Sequence, residues 1–133
     1  LPDLHGMRIL LAEDNALSSE IAQYLLHGAG AEITAVENGQ QAVAAFAASG
    51  QGGKLAFDAI LMDIMMPEMD GLAAARAIRT GSHPQAQSIP IIAQTANAFA
   101  EDVKQAIDAG MNDHVAKPLD EARLRRVLAK YKK

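Results

Sequence analysis

Short apolar runs alternate with longer amphipathic segments along this chain, and the alternation is repeated five times. Short runs of this kind, bounded by charged residues, glycine or proline, are typical of buried β-strands. The predicted strands are residues 8–12, 33–36, 57–62, 89–94 and 114–116. In the fourth run Pro90 comes early, which suits the beginning of a strand better than its middle.

A segment with helical periodicity follows each apolar run, because its apolar residues recur every three or four positions. The residues expected to face the core are, helix by helix, Leu17, Ile21, Tyr24, Leu25 and Ala29; Ala42, Val43, Phe46 and Ala47; Leu72, Ala75 and Ile78; Phe99, Val103, Ala106 and Ile107; and Leu124, Val127, Leu128 and Tyr131. Five strand–helix units without hairpin turns predict a parallel sheet with helices on both faces. We therefore expect a doubly wound α/β domain.

Length and composition narrow the class of protein. The chain has 133 residues, half of them apolar, which suits one domain with a substantial core. The absence of cysteine excludes disulfides, thiolate metal sites and a cysteine nucleophile, and is most natural for a cytoplasmic domain. A net charge of −4 argues against a general nucleic-acid surface, and no apolar run approaches a membrane span. Residues 1–6 are expected to be linker and residues 7–133 the domain.

Polar side chains follow four of the predicted strands at the point where each strand ends. Glu13 and Asp14 follow the first strand, Asp63 the third, Thr95 the fourth and Lys117 the fifth. In open parallel sheets, ligands bind outside the carboxyl ends of the strands. The five side chains are therefore expected to face one crevice.

The chemistry of this set points to phosphoryl transfer. Three neighbouring carboxylates repel one another and need a cation, and an all-oxygen site suits Mg²⁺, with Mn²⁺ as a substitute. A phosphoryl group on Asp63 would present oxygens to the metal, to Lys117 and to the Thr95 hydroxyl, which is the charge neutralisation that phosphoryl transfer requires. Asp63 is therefore expected to be the nucleophile.

Four segments carry a family resemblance in the right order and spacing. They are LLAEDN (10–15), MDIMMPEMDG (62–71), TANA (95–98) and GMNDHVAKP (110–118). Together they resemble the four signature segments of response-regulator receiver domains, over a match that runs from about Met7 to the final helix. The segments around Thr95 and His114 are most similar to receivers of hybrid sensor histidine kinases.

The resemblance implies a fold and a reaction. The fold would be a flavodoxin-like three-layer sandwich with the strand order 2-1-3-4-5, and Asp63 would accept a phosphoryl group from a phosphohistidine. The phosphodonor would be a histidine kinase or a histidine-phosphotransfer domain. A weak homodimer is compatible with the family, whereas nucleic acid and direct membrane contact are not expected. The domain would be cytoplasmic, tethered to a membrane-bound sensor kinase.

The resemblance also implies individual roles. The metal would be bound by Asp14, Asp63 and the backbone carbonyl of Met65, with Glu13 acting through water. Lys117 would contact the phosphoryl oxygens and precede a cis proline, Pro118. Thr95 would move toward the phosphoryl group as a switch together with the side chain three residues before the lysine, which is His114 here and an aromatic ring in many relatives.

Other functions share parts of this pattern. A stand-alone single-domain response regulator would carry the same site. An aspartyl-phosphate hydrolase would need a second acid or base near Asp63, and the nearest candidates, Met65 and Asn97, cannot act as acids. A phosphorylation-independent interaction module would not need the charged site residues. We therefore expect a receiver that catalyses only its own phosphorylation and dephosphorylation, and not an enzyme acting on a separate substrate.

Overall fold

The computed structural model describes residues 1–52, 55–96 and 100–132. Its five strands form one parallel sheet in the order β2-β1-β3-β4-β5, which confirms the predicted doubly wound topology. The strands are β1 (Arg8–Ala12), β2 (Glu32–Val36), β3 (Ala59–Asp63), β4 (Ile91–Thr95) and β5 (Asp113–Ala116). The helices are α1 (Ala16–Gly28), α2 (Gly39–Ala48), α3 (Gly71–Thr80), α4 (Ala100–Asp108) and α5 (Glu121–Ala129).

Two apolar layers flank the sheet, because successive strand residues point to opposite faces. Leu10, Ile60 and Ile91 belong to the layer that includes buried residues of α2, α3 and α4. Their neighbours Ile9, Leu61 and Ile92 belong to the layer beneath α1 and α5. The sheet is therefore covered on both faces, and its polar chemistry is confined to the strand ends.

Four helices have a side-chain cap at their amino-terminal end, near the carboxyl ends of the strands. Asn15, Asn38, Asp70 and Asp120 accept hydrogen bonds from backbone N–H groups in the first turns of α1, α2, α3 and α5, respectively. Each cap satisfies a backbone donor that has no partner within its own helix. The chain thus turns sharply from strand to helix directly beside the predicted site.

The buried face of α1 differs from the predicted one. Ala22 and Leu26 are buried, whereas Leu17, Ile21 and Tyr24 are 66%, 46% and 79% exposed. Of the predicted residues, Ala29 is buried and Leu25 packs against the core. The prediction is therefore correct at the carboxyl-terminal end of α1 and wrong for Leu17, Ile21 and Tyr24. On α4, Ile107 is likewise exposed at 57%, while Ala106 is buried.

Several strand boundaries also differ from the prediction. β3 begins at Ala59 and includes Asp63, which pairs with Gln94 in the sheet register. β4 begins only at Ile91, because the N–H of Ile89 bonds back to the Gln85 carbonyl and Pro90 has no N–H to donate. Asp63 and Thr95 are therefore the last residues of their strands and not the first residues of loops.

The amino-terminal segment joins the core at Leu4, within the six residues expected to be linker. The Leu4 side chain is fully buried and its N–H donates to the carbonyl of Ala29 at 2.9 Å. Within the described residues, no helix is long and apolar enough to cross a membrane. Three residues named in the predictions, Asn97, Ala98 and Phe99, lie outside the described residues.

Candidate functional site

Three carboxylates converge at the carboxyl ends of β1 and β3. Glu13, Asp14 and Asp63 each place an oxygen within 4.8 Å of the others. Glu13 and Asp63 are only 2% and 4% exposed, whereas Asp14 is exposed. Buried carboxylates at such short range repel one another strongly, so the cluster requires a positive charge.

Lys117 supplies that charge from the end of β5. Its ammonium nitrogen lies 2.7 Å from Asp63 Oδ2 and 3.0 Å from Glu13 Oε2. The backbone N–H of Lys117 donates to the Thr95 carbonyl at 2.8 Å, and the peptide bond to Pro118 is cis. The Lys117 side chain lies over the two buried carboxylates, with its ammonium in contact with both.

The pKa values of Glu13 and Lys117 are both raised in this buried cluster, in which carboxylates outnumber positive charges. Burial, together with the proximity of Asp63, raises the pKa of Glu13 to about 7, against the opposing effect of Lys117. Burial alone would lower the pKa of Lys117, but its bonds to Asp63 and Glu13 raise the pKa above its usual value. Lys117 therefore stays charged, while Glu13 readily binds a proton when no other cation is present.

The loop from Ile64 to Asp70 forms the outer wall of the site. Met65 donates its N–H to Asp63 Oδ1 at 3.1 Å, while its side chain is exposed to solvent. The Gly71 N–H closes the loop by donating to the Ile64 carbonyl at 2.9 Å. A Cβ on Gly71 would lie 2.3 Å from the Asp63 carbonyl oxygen, so only glycine allows α3 to begin here. The backbone at Met65 is therefore held beside the carboxylates.

The two predicted switch residues lie apart from this cluster. Thr95 is buried, and its hydroxyl has no hydrogen-bond partner among the described residues. His114 pairs with Ala93 in the sheet, and Thr95 pairs with Ala116, so both switch positions lie on the α4 face. The structure thus brings together Glu13, Asp14, Asp63 and Lys117, and leaves the Thr95 hydroxyl unbonded to them.

The carboxylate cluster fits a hard divalent cation. It offers three carboxylate groups against a single ammonium, leaving a net negative charge in a largely buried crevice. Oxygen donors of this kind are those that Mg²⁺ prefers, and Mg²⁺ commonly binds through a few carboxylates while keeping waters and substrate phosphate in its shell. Glu13, Asp14 and Asp63 are the carboxylates available to hold it.

A cleft beside Lys117 was not anticipated from the sequence. It has a volume of about 310 Å³ and lies between α1 and the β5–α5 connection, with walls formed by Ser18, Ile21, Gln94, Lys117, Pro118 and Leu119. The Gln94 amide nitrogen is buried there without a hydrogen-bond partner among the described residues. The signal for this cleft in the sequence is Gln94, a glutamine in an otherwise apolar strand.

Comparison with known proteins decides the family. The family model for the response regulator receiver domain matches residues 9–129. This chain is a response-regulator receiver domain. It is 40% identical over 125 residues to the sensor protein GacS of Pseudomonas syringae pv. syringae, a match that covers 93% of the chain and 13% of that much longer protein.

Solved receiver structures share the fold. The receiver domain of sensor histidine kinase PA1611 from Pseudomonas aeruginosa, with a magnesium ion in its active-site cleft, is 39% identical with a TM-score of 0.83, and the match covers 95% of this chain and 97% of that one. A second solved structure is the receiver domain of Ssk1 in complex with the histidine phosphotransfer protein Ypd1 of Saccharomyces cerevisiae. It matches with 26% identity and a TM-score of 0.80, over 98% of this chain and 90% of that one. The predicted family and flavodoxin-like receiver fold are confirmed.

Glu13→Gln is expected to flatten the pH dependence of stability between pH 4.5 and 7. In the folded receiver the pKa of Glu13 is raised from 4.5 to about 7, so this group stabilises the fold at low pH and the stabilisation is lost as the pH rises through this interval. The loss should be about 1–3 kcal/mol, measured by urea unfolding without divalent cations. Glu20→Gln, at an exposed position on α1, should keep the wild-type profile. If stability varied with pH in the same way in Glu13→Gln and in wild type, the raised pKa of Glu13 would be contradicted.

Proposed function

We propose that Asp63 is the phosphoacceptor of this receiver and takes a phosphoryl group from a phosphohistidine in a Mg²⁺-dependent reaction. The observation that carries the proposal is the position of the Asp63 carboxylate, buried at the end of β3 with Lys117 Nζ at 2.7 Å from Oδ2. A carboxylate oxygen of Asp63 forms the new bond to phosphorus, the bond from phosphorus to the imidazole nitrogen breaks, and that nitrogen keeps the electron pair.

The proposed metal ligands are Asp14, Asp63 and the Met65 carbonyl, with Glu13 acting through water. The acidic cluster supports this set, and Mn²⁺ is expected to substitute for Mg²⁺ because both accept oxygen ligands. When bound, the metal supplies positive charge to the phosphoryl oxygens. With a cation held by these residues, Lys117 would no longer be the only positive charge that the described residues place beside Glu13, and its ammonium could turn to the phosphoryl group.

Lys117 and Thr95 complete the proposed charge neutralisation. Lys117 already contacts the Asp63 oxygen that lies on its side, so a phosphoryl group on Asp63 would place its own oxygens within reach of the same ammonium. The Thr95 hydroxyl, unpartnered among the described residues, is a donor with no bond to lose, and an inward movement would give it one. His114 lies on the same face and is proposed to change its exposure in concert, which would alter the surface formed by α4, β5 and α5.

The exposed apolar face of α1 is the proposed docking surface for the phosphodonor. Leu17, Ile21 and Tyr24 form this face, and Ile21 also lines the cleft that reaches Lys117. A protein that buries this face would therefore cover the cleft that reaches Lys117, whose ammonium contacts Asp63. We propose a histidine-phosphotransfer domain or the histidine-bearing domain of a sensor kinase as the occupant, within a hybrid sensor kinase whose receiver lies in the cytoplasm.

Asp63→Asn is expected to abolish the response to a phosphoryl mimic. Wild type with Mg²⁺ and beryllofluoride should show shifts of the backbone amide resonances of Thr95, Lys117 and His114 in NMR spectra. The reason is that beryllofluoride bound to Asp63 places fluorine atoms where the phosphoryl oxygens would lie. The Asp63→Asn variant lacks the nucleophilic oxygen and should show none. Asp108→Asn, which changes an exposed carboxylate on α4, should respond like wild type. A folded wild-type sample that does not respond with Mg²⁺ present would refute the proposal.

Ile21→Asp is expected to slow phosphoryl transfer from a protein donor but not from a small one. A buried charge at the interface should reduce transfer from a phosphorylated histidine-phosphotransfer domain about tenfold or more. Labelling by acetyl phosphate, which needs no docking surface, should be unchanged. Ile107→Asp makes the same change on the exposed face of α4 and should leave both rates within about twofold of wild type. Equal effects of the two variants on protein-mediated transfer would exclude the α1 face.

A further inference from the structure

The amino-terminal end of α2 packs directly against the loop that carries Met65. We call residues 64–70 the acceptor loop. Gly39, the first residue of α2, donates its N–H to the Met69 carbonyl at 3.1 Å. A Cβ at position 39 would lie 2.3 Å from that carbonyl oxygen and 2.9 Å from Met69 Cγ. The contact is therefore so close that only glycine fits without moving the loop.

Asn38 makes a second contact with the same loop. Its Oδ1 accepts from the Gln41 N–H at 2.8 Å, which caps α2, while its Nδ2 donates to Glu68 Oε2 at 3.1 Å. Glu68 has a φ of +67°, in the left-handed region that a side chain with a Cβ rarely adopts. Such a conformation persists when surrounding contacts hold it. Asn38 provides one of those contacts from outside the loop.

Both ends of the acceptor loop are also fixed. The Met65 N–H bonds to Asp63 Oδ1, and the Gly71 N–H bonds to the Ile64 carbonyl. Between these anchors, Met69 is the position at which a different helix contacts the loop, and its N–H bonds back to the Pro67 carbonyl. Only three residues, including Pro67, separate Met69 from Met65. A movement of the Met69 backbone should therefore also shift the Met65 backbone.

We propose that Asn38 and Gly39 are positioning residues for the metal site: they hold the acceptor loop, and with it the Met65 backbone that the proposed metal site uses. This inference rests on the proposed Mg²⁺ site. It assigns a role to the β2–α2 turn, which contains none of the proposed ligands.

An exchange of donor and acceptor between positions 38 and 68 tests the inference. Asn38→Asp keeps the helix cap but opposes two carboxylates, and should weaken Mg²⁺ binding roughly threefold to tenfold. An added negative charge that does not disturb the loop would instead attract Mg²⁺ and strengthen its binding. Glu68→Gln keeps an acceptor for Asn38 and should stay within about twofold of wild type. In the double variant the introduced glutamine can donate to the introduced aspartate, so the wild-type affinity should be recovered.

The measurement is a Mg²⁺ titration of each full chain, followed by the amide resonances of Asp63 and Met65, with urea unfolding to verify folding. Gln40→Glu adds a charge at the neighbouring exposed position without touching the loop, and should bind Mg²⁺ as tightly as wild type or more tightly. Gly39→Ala should weaken binding further and shift the Met65 amide before any metal is added. Gly28→Ala, whose Cβ would find its nearest atom at 4.0 Å, should do neither.

The possible outcomes separate the inference from the proposed function. Weaker binding by Asn38→Asp with recovery in the double variant supports the positioning role. Wild-type affinity for Asn38→Asp, or no recovery in the double variant, overturns it while leaving the metal site intact. A folded wild-type chain that does not bind Mg²⁺ overturns the metal site, and the positioning role with it.

Discussion

The contact of one ammonium with two buried carboxylates is the interaction on which the site depends. Lys117 Nζ contacts Asp63 and Glu13 at 2.7 and 3.0 Å. Leaving either carboxylate buried and unpaired would cost far more than a surface ion pair contributes, so the three residues must act as a unit. The unit is also unbalanced, because Asp14 adds a third acid nearby. The cluster therefore keeps a net negative charge even with Lys117 in contact, which favours the binding of a further cation.

At this edge of the sheet, the fold brings those groups together from distant parts of the chain. Glu13 and Lys117 are separated by 104 positions in sequence and meet because β1, β3, β4 and β5 are adjacent in the sheet and end at the same level. Close backbone packing then sets the geometry around them. Gly71 lets α3 start against the Asp63 carbonyl, and Gly39 lets α2 start against Met69. Two glycines without chemical function thus permit the close approach of α2 and α3 to the segment around Asp63 and Met69.

Much of this arrangement could be predicted from the sequence. The alternation of apolar runs and helical periods specified the strand–helix order, and the polar residues that end the runs identified Asp63, Glu13, Asp14 and Lys117. The face of α1 could not be predicted, because Leu17 and Ile21 have the same period as the buried Ala22 and Leu26. Which face is buried depends on how closely the helix approaches the sheet, and that is a property of packing. The contact of Asn38 with Glu68 was also invisible, since it joins two loops whose proximity follows from the completed fold.

The central claim is that Asp63, within this unit, is the residue that accepts the phosphoryl group. The most direct measurement is to phosphorylate the receiver with acetyl phosphate and Mg²⁺, reduce the acyl phosphate with borohydride, and map the modified residue by peptide mass spectrometry. We expect modification at Asp63 alone, and only when Mg²⁺ is present. Modification at Asp14 or Glu13, or none in a folded sample that binds Mg²⁺, would contradict this role of Asp63.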